Sequence, residues 1–394
     1  MNSSVNNNKR KLVIMLSRFP FPLDKGDKLR AYYQIIEFSK DFEITLICTT
    51  DKKILKSEIE KIKPYCKEIH IIKLSYVSIF FNLTLNLFNN KPFQVGYFYS
   101  NKNNHYIKSI LKEIKPDHIF CQLIRVAEYV KNYHNCPKTI DYMDALSKGI
   151  ERRIDNARLF KKILFKSEHK RLRNYEQKIF EYFEHHLIIS EQDRSYIMHP
   201  DYLKIKCIPN GVGKHFFDSI DVKPDHDLVF IGNLSYPPNI SAVIYIVKEI
   251  LPLLDKDTRL IISGASPHYS LEKLIKNNPN ITLTGWVDDI RTSYLRGKLF
   301  IAPMFIGTGL QNKLIESMAL GVPCITTPLA NNALNAKPNN QILVANTNKE
   351  FAQAITKLLN NEQLYNELKS NGKSFVQRTF DWSVTVQNTI KLMN

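Results

Sequence analysis

Short runs of β-branched and apolar residues recur along the chain, each followed by a stretch with helical spacing, and this alternation leaves few folds open. The runs are 12–16, 44–48, 69–74, 118–121, 139–141, 187–190 and 207–209, then 228–232, 259–263, 281–284, 299–302 and 324–327. Continuous apolar runs between helices belong to strands buried on both faces, so the sequence predicts an α/β protein with two parallel sheets of βα units. The series breaks at 218–227, a polar stretch with Pro224 and no apolar period, which reads as a linker. The expected plan is a disordered tail at 1–10, a first domain at 11–217, a second at 228–375, and a C-terminal helix over 376–394 crossing back to the first. At 394 residues the chain is long for one core, in keeping with two domains. Each doubly wound sheet should present ligand loops at the carboxyl ends of its strands, toward a shared cleft.

Helices are expected at 29–39, at 240–251 with Asn239 as N-cap, and at 159–183. The last has one buried stripe of Leu164, Phe165, Leu172, Tyr175, Ile179 and Phe183.

Composition narrows the partners. Apolar residues make up 44% and charged residues 24%, ordinary for a soluble globular chain. The longest apolar stretch, 76–88, is interrupted by Ser78, Asn82, Thr84 and Asn86, so no bilayer-spanning helix is expected. Residues 1–11 are polar and the apolar run after them is too short for a signal peptide, which predicts a cytoplasmic protein. Six cysteines without a C-x-x-C pair support neither a zinc site nor a disulfide framework. The net charge is +17, and it is uneven: residues 1–220 carry 38 Lys and Arg against 24 Asp and Glu, while 221–394 carry 17 against 14. Such a field favours an anionic partner, although lysine-rich composition alone is the plainer account. No zinc-finger, RNA-recognition or helix-turn-helix signature points to nucleic acid. A phosphorylated substrate and an anionic membrane surface remain. The aromatic stretches 76–88 and 93–99 lie in this basic half and read either as a membrane-contacting surface or as buried helical packing.

The most informative segment runs from Ile301 to Pro323. A buried strand ends near Pro303, Gly307 and Gly309 flank Thr308, and a helix follows over about 310–320, stopped by Gly321 and Pro323. Glycines let the backbone approach a ligand, and the first N–H groups of a helix have no internal partners, so an anion is the natural occupant. Helix-end electrostatics supply only about 0.3–1 kcal/mol at an exposed site. Lys313 adds full charge toward a diphosphate, with Leu310, Gln311 and Asn312 around it. One turn on, Glu316 can accept both hydroxyls of a ribose; a solvent-facing glutamate is the bland alternative.

Gly307-x-Gly309-x-Gln311-Asn312-Lys313-x-x-Glu316-x-Met318-Ala319-x-Gly321-x-Pro323 resembles the donor-binding signature of the retaining family-four glycosyltransferases (glycosyltransferase group 1), which have the GT-B fold. The likeness is to the branch associated with bacterial surface-polysaccharide loci, and it covers nearly the whole chain. Arg18-Phe-Pro-Phe-Pro with Lys25-Gly26-Asp27-Lys28-x-Arg30, Asp141 to Ser147, Pro209-Asn210-Gly211, Phe230-Ile-Gly232-Asn233 and Thr284-Gly285-Trp286-Val287-Asp288-Asp289 follow in the family's order. The resemblance implies two Rossmann-like domains facing a central cleft. The second would bind a nucleotide diphosphate sugar, with Gly232 and Asn233 in its motif and the base against Trp286 and Val287; core packing is the alternative for Trp286. It implies no cofactor and no metal, so Asp288-Asp289 and Asp225-His226-Asp227 read as loop acids. The broader family places an acid where this chain has Thr308, and the closer branch lacks that acid as well.

In the first domain, Gly26 and Asp27 sit between the first strand and its helix, where Gly26 can open the turn; an ordinary charged turn is the alternative. Arg125 follows the strand ending at Cys121 and can clamp a phosphate bidentately, or lie at the surface. Asp141 and Asp144 bracket the next strand end and can hold acceptor hydroxyls or take a proton from one, and Asp144 can equally cap the next helix. With Gly26, Asp27, Arg125 and Asp144 as catalytic candidates, the sequence predicts a retaining sugar transferase. Its partners would be a nucleotide-sugar donor and a glycan or lipid-linked acceptor, at the inner face of the plasma membrane. A nucleotide-sugar epimerase on the same scaffold and a silent GT-B subunit are the alternatives the residues leave open.

Overall fold

The computed structural model describes residues 9–23, 25–154, 157, 159–276, 278–306 and 310–394. They divide into two compact units, the first holding residues up to Pro209 with Thr385–Asn394, the second Asn210–Val384.

The first unit is built on seven parallel strands, β1 (Arg10–Leu16), β2 (Phe42–Thr50), β3 (Glu68–Lys73), β4 (His118–Gln122), β5 (Lys138–Asp141), β6 (His185–Ile188) and β7 (Lys206–Cys207). Their order is β3-β2-β1-β4-β5-β6-β7. The last five residues of β1, Leu12 to Leu16, are buried without alternation, as expected of a strand covered by helices on both faces. The second unit repeats the scheme with β8 (His226–Ile231), β9 (Leu260–Ser263), β10 (Ile281–Gly285), β11 (Gly297–Ala302), β12 (Cys324–Thr326) and β13 (Leu343–Val344), ordered β10-β9-β8-β11-β12-β13. Each sheet is wound outward from a central pair, so strand order reverses once, between β1 and β4 and between β8 and β11. Twelve of these strands fall on the runs read from the sequence. The two-residue β13 is too short to have left a pattern.

Three expectations shift. The division falls at Pro209, not at 217, because the Val212 N–H donates to the Phe380 carbonyl at 2.7 Å and Val212 bridges to Asp381, tying 210–217 to the second unit. His226 and Asp227, placed in the linker, begin β8. The C-terminal region forms helix Glu362–Thr379 and then helix Trp382–Met393, with Gln387 donating to Asp41 at 3.2 Å.

Helix Leu159–Phe180 also departs from its expected stripe. Leu172, Tyr175, Ile179 and Phe180 are buried, but Leu164 is exposed, as are Leu159, Phe160 and Ile163. The aromatic helix Tyr76–Phe88 buries only Ile79 and Asn86, leaving Phe80, Phe81 and Phe88 in solvent, whereas helix Phe93–Phe98 buries Val95, Gly96 and Phe98. The six cysteines are free thiols. Among the described residues no helix is long and apolar enough to cross a membrane.

Candidate functional site

In an open parallel sheet the loops on either side of the order reversal part and leave a crevice at the carboxyl ends of the strands. In the second unit those loops follow β8 and β11. After β8 comes Gly232, whose amide donates to the Ser263 carbonyl at 3.1 Å. A Cβ on Gly232 would stand 2.6 Å from Asn239 Nδ2, closer than real side chains approach, and a tight 3.1 Å from Lys313 Nζ. A Cβ on Gly264, after β9, would fall 1.8 Å from the Gly232 carbonyl oxygen. The floor of the crevice is thus two backbones in contact, a role for Gly264 that the sequence did not suggest.

After β11, helix Asn312–Ala319 begins with Gln311 as N-cap, and Leu310, Gln311 and Asn312 are partly buried at its mouth. Gly307, Thr308 and Gly309 lie outside the described residues. Lys313 donates from Nζ to Asn239 Oδ1 at 2.5 Å and stands 4.9 Å from the centroid of the Phe230 ring. Burial pulls its pKa down to about 8, with the Glu316 charge acting the other way. Glu316 is held through Oε2, which accepts from the Tyr294 hydroxyl at 2.8 Å. Burial pushes the Glu316 carboxyl up, opposed by the Tyr294 hydrogen bond and the Lys313 ammonium. Tyr294 itself is fully buried against Phe300 and Phe216. An ammonium and a carboxylate one helical turn apart, each fixed by a polar partner from another helix, make a preorganised site for a ligand bearing anionic and hydroxyl groups.

Asn239 was expected to cap its helix. Tyr236 is the N-cap of helix Pro237–Tyr245, and Asn239 lies inside it, donating from Nδ2 to the Asn233 carbonyl at 2.9 Å while it accepts from Lys313. Asn233 is exposed, and its Oδ1 accepts from the Ser235 amide and hydroxyl. Trp286 and Val287 follow the edge strand β10, two strands from β8. Gly285 there has φ +69°, and Trp286 is 69% exposed, so it is not core. Tyr294 escaped sequence reading because a lone tyrosine on a short amphipathic helix signals only burial.

The acidic clusters are engaged elsewhere. Asp225 pairs with Arg296 at 2.7 Å and with His226 at 2.6 Å, Asp227 pairs with Lys298 at 3.0 Å, and Asp289 caps helix Ile290–Arg296 and pairs with Arg291. Among the described residues no group of three His, Cys, Asp or Glu is placed to hold a metal ion.

In the first unit the reversal lies between β1 and β4. Gly26 is the first residue of helix Gly26–Phe38, and a Cβ there would meet nothing within 4 Å, so it does not open a turn as expected. Asp27 accepts from Arg18 Nη1 at 2.7 Å. Arg125 lies in the turn Ile124–Tyr129 after β4 and donates from Nε to Gln94 Oε1 at 3.0 Å. Burial and the neighbouring Arg18 and Arg153 lower its pKa to about 10, opposed by Asp27 and Asp144. Asp144 is exposed, yet protein packed around its carboxyl, together with Asp193, pushes its pKa up to about 6 against Arg30 and Arg125. Asp27, Arg125 and Asp144 therefore share one electrostatic neighbourhood. Asp141 leaves the candidate list: it is fully buried, accepting from Arg30 at 2.6 Å, from Gln34 at 3.1 Å and from the Met143 amide. That is a structural ion pair, and carboxylates so engaged do not serve an acceptor.

The chain resembles known proteins over nearly its whole length. Residues 225–361 match the family described as "Glycosyl transferases group 1". An uncharacterised 44.6 kDa protein in the cps region of Klebsiella pneumoniae is 22% identical over 395 residues, covering 94% of this chain and 96% of that one. A glycosyltransferase structure from Rickettsia africae superposes with a TM-score of 0.70 at 14% identity, covering 98% of each chain. Anabaena HepE, solved in complex with UDP, superposes at 0.66 with 11% identity, covering 97% of this chain and 98% of that one. The two Rossmann-like parallel-sheet domains are those of the GT-B fold.

Proposed function

We propose that the chain is a retaining, metal-independent glycosyltransferase that moves a sugar from a nucleotide diphosphate donor to a lipid-linked glycan acceptor in bacterial surface-polysaccharide synthesis. It would work in the cytoplasm, at the inner face of the membrane. The observation that carries the reading is the Lys313 and Glu316 pair at the β8/β11 reversal, fixed by Asn239 and Tyr294. The family match over the same residues and the UDP complex of a structural neighbour support a nucleotide there, and the cps-region relative supports the polysaccharide context.

In this reading Lys313 and the amides of Gln311 and Asn312 meet the diphosphate, the second oxygen of Glu316 takes the ribose hydroxyls, and Trp286 with Val287 borders the base. Leu310 would border the phosphates. The bond from the sugar's anomeric carbon to the diphosphate oxygen breaks with its electron pair on that oxygen, where fixed dipoles and the ammonium stabilise the charge as it develops. The acceptor hydroxyl attacks from the same face, its oxygen bonds the anomeric carbon, and its proton passes to the departing phosphate oxygen. Asp27, Arg125 and Asp144 of the first unit orient the acceptor.

Replacement of the ribose acceptor tests the reading. Glu316→Ala should weaken UDP binding at least tenfold by isothermal titration and abolish transfer while the circular dichroism spectrum is kept. Unchanged affinity would remove Glu316 from the site. Product analysis with the donor alone separates transfer from epimerisation, since an epimerase releases a rearranged sugar without an acceptor.

A further inference from the structure

A hollow of the first unit reaches from Arg125 away from Asp27 and Asp144 into apolar surroundings. A groove of 660 Å³ runs between helices Tyr76–Phe88, Phe93–Phe98, Leu146–Ile154 and Leu159–Phe180. That volume falls in the range of about 300–1,000 Å³ typical of small-molecule sites. Its walls are mostly hydrocarbon, among them Leu83, Leu87, Phe93, Ile150 and Phe165, and Arg125, Arg153 and Glu168 also line it. Helices Tyr76–Phe88 and Leu159–Phe180 contribute walls, Phe80 at the groove among them, and carry Phe81, Phe160 and Ile163 in solvent beyond it. They are tied together by Arg171, which donates from Nη1 to the carbonyls of Asn86, Asn89 and Lys91 at the end of the first helix. A cation there satisfies the orphan carbonyls of a helix C-terminus, so this apolar wall is held in place.

Gly149 is the second clue. It sits inside helix Leu146–Ile154, lines the groove, and a Cβ on it would meet nothing within 4 Å. A glycine at a helix interior costs about 0.5–1 kcal/mol relative to alanine, and no neighbour in the fold requires one here. Its missing side chain leaves bare helix backbone facing the groove. The arginines are the third clue. Arg125 is desolvated, its charged form disfavoured by burial and by Arg18 and Arg153 and favoured by Asp27 and Asp144, and its guanidinium is engaged through Nε by Gln94. The nearby carboxylate of Glu168 is committed to the backbone amides of Phe93 and Gln94, at 2.7 and 3.0 Å. Two like-charged guanidinium groups beside an oily groove call for an anion with a hydrocarbon tail.

We propose that this groove holds the hydrocarbon chain of a lipid phosphate, with Arg125 and Arg153 on its phosphate, and that this lipid is the carrier of the acceptor. The second half of the proposal rests on the transferase reading; the binding itself does not. Lys161, Lys166 and Lys170, exposed along helix Leu159–Phe180, suit the anionic side of that lipid's surroundings.

Titration calorimetry of the full chain with dodecyl phosphate below its micelle concentration tests the site, with inorganic phosphate and dodecyl maltoside as head-only and tail-only controls. Dodecyl phosphate should bind saturably and at least tenfold more tightly than either control. Gly149→Phe, which places a ring in open space on a helix that tolerates it, should reduce that affinity at least tenfold with UDP binding unchanged. Arg153→Glu should weaken dodecyl phosphate and leave dodecyl maltoside as it was. Equal affinity for dodecyl phosphate and dodecyl maltoside, or dodecyl phosphate binding indifferent to Gly149→Phe, overturns the proposal, as does binding only to anionic vesicles that both variants retain. Undiminished sugar transfer to a lipid acceptor by Gly149→Phe sinks the acceptor role and leaves the transferase reading standing. Dodecyl phosphate binding in a chain that transfers no sugar does the reverse.

Discussion

The two proposed sites use opposite physics. In the second unit a few polar groups are buried, and each is held by another: Lys313 by Asn239, Glu316 by Tyr294, Gly232 by the backbone behind it. In the first unit, apolar area is left open beside Arg125 and Arg153. A site of the first kind selects by geometry, because displacing any charged group leaves its buried partner unpaired. A site of the second kind selects by area and by sign of charge, and it tolerates variation in length and shape. A nucleotide suits the one, a lipid chain the other.

The largest expected effect breaks the polar site. Lys313→Met should lower kcat/KM for transfer by about 100- to 1,000-fold, the usual cost of removing a donor aimed at developing charge. The fold should survive, since burial disfavours the Lys313 charge and a methionine fills its place. A loss below tenfold would show that the diphosphate sits elsewhere. Tyr294→Phe comes next. A hydrogen bond to a charged group is worth about 1.5–3 kcal/mol, so the urea midpoint should fall by a matching amount, and UDP affinity by calorimetry should fall about tenfold or more as the Glu316 carboxylate loses its fixed position. A stability loss with normal affinity would make Tyr294 a core residue alone.

Titration sharpens the contrast further. Lys313, with its pKa lowered to about 8, should lose its charge above that pH, and UDP affinity should then fall, an effect absent in Lys313→Met. The stability of the free protein should run the other way. The fold disfavours the charged form, so the penalty is complete below pH 8 and fades toward the ordinary value of 10.5. Asp144, raised to about 6 from 3.8, incurs its penalty as pH rises between those values. Transfer should show an acid limb near pH 6 that Asp144→Asn removes; a limb unmoved by that variant would excuse Asp144 from the site. The smallest effect is expected of Phe88→Ser and Phe160→Ser, which should leave the folding free energy within about 0.5 kcal/mol, because both rings stand in solvent. A larger loss would place them in the core.

Much of this was legible in residue order. Parallel strands covered on both faces must be apolar throughout, and helices between them must be amphipathic, so two βα series were readable from pattern alone. The helix after β11 and the Lys313 and Glu316 spacing were local facts as well, since residues three apart on a helix share a face. What pattern missed was partnership across the chain. Asn239 read as a cap because a polar residue before an apolar run usually is one, and its bond to a lysine 74 positions on is invisible to any local rule. Asp141 read as a free acid because nothing near it in sequence announces Arg30.

The same limit governs the exposed rings. An apolar stripe at helical spacing records that some face avoids water without recording what it meets, so Leu164 was expected in the core beside Leu172 and lies at the mouth of a groove instead. The sequence alone determined the two sheets, their winding and the chemistry of the late helix, because those follow from periodicity and local backbone geometry. Only the tertiary structure decided which charges are spent on each other and which apolar faces stay open, because contact energies fall off within a few ångströms and chain neighbours are rarely the atoms that touch.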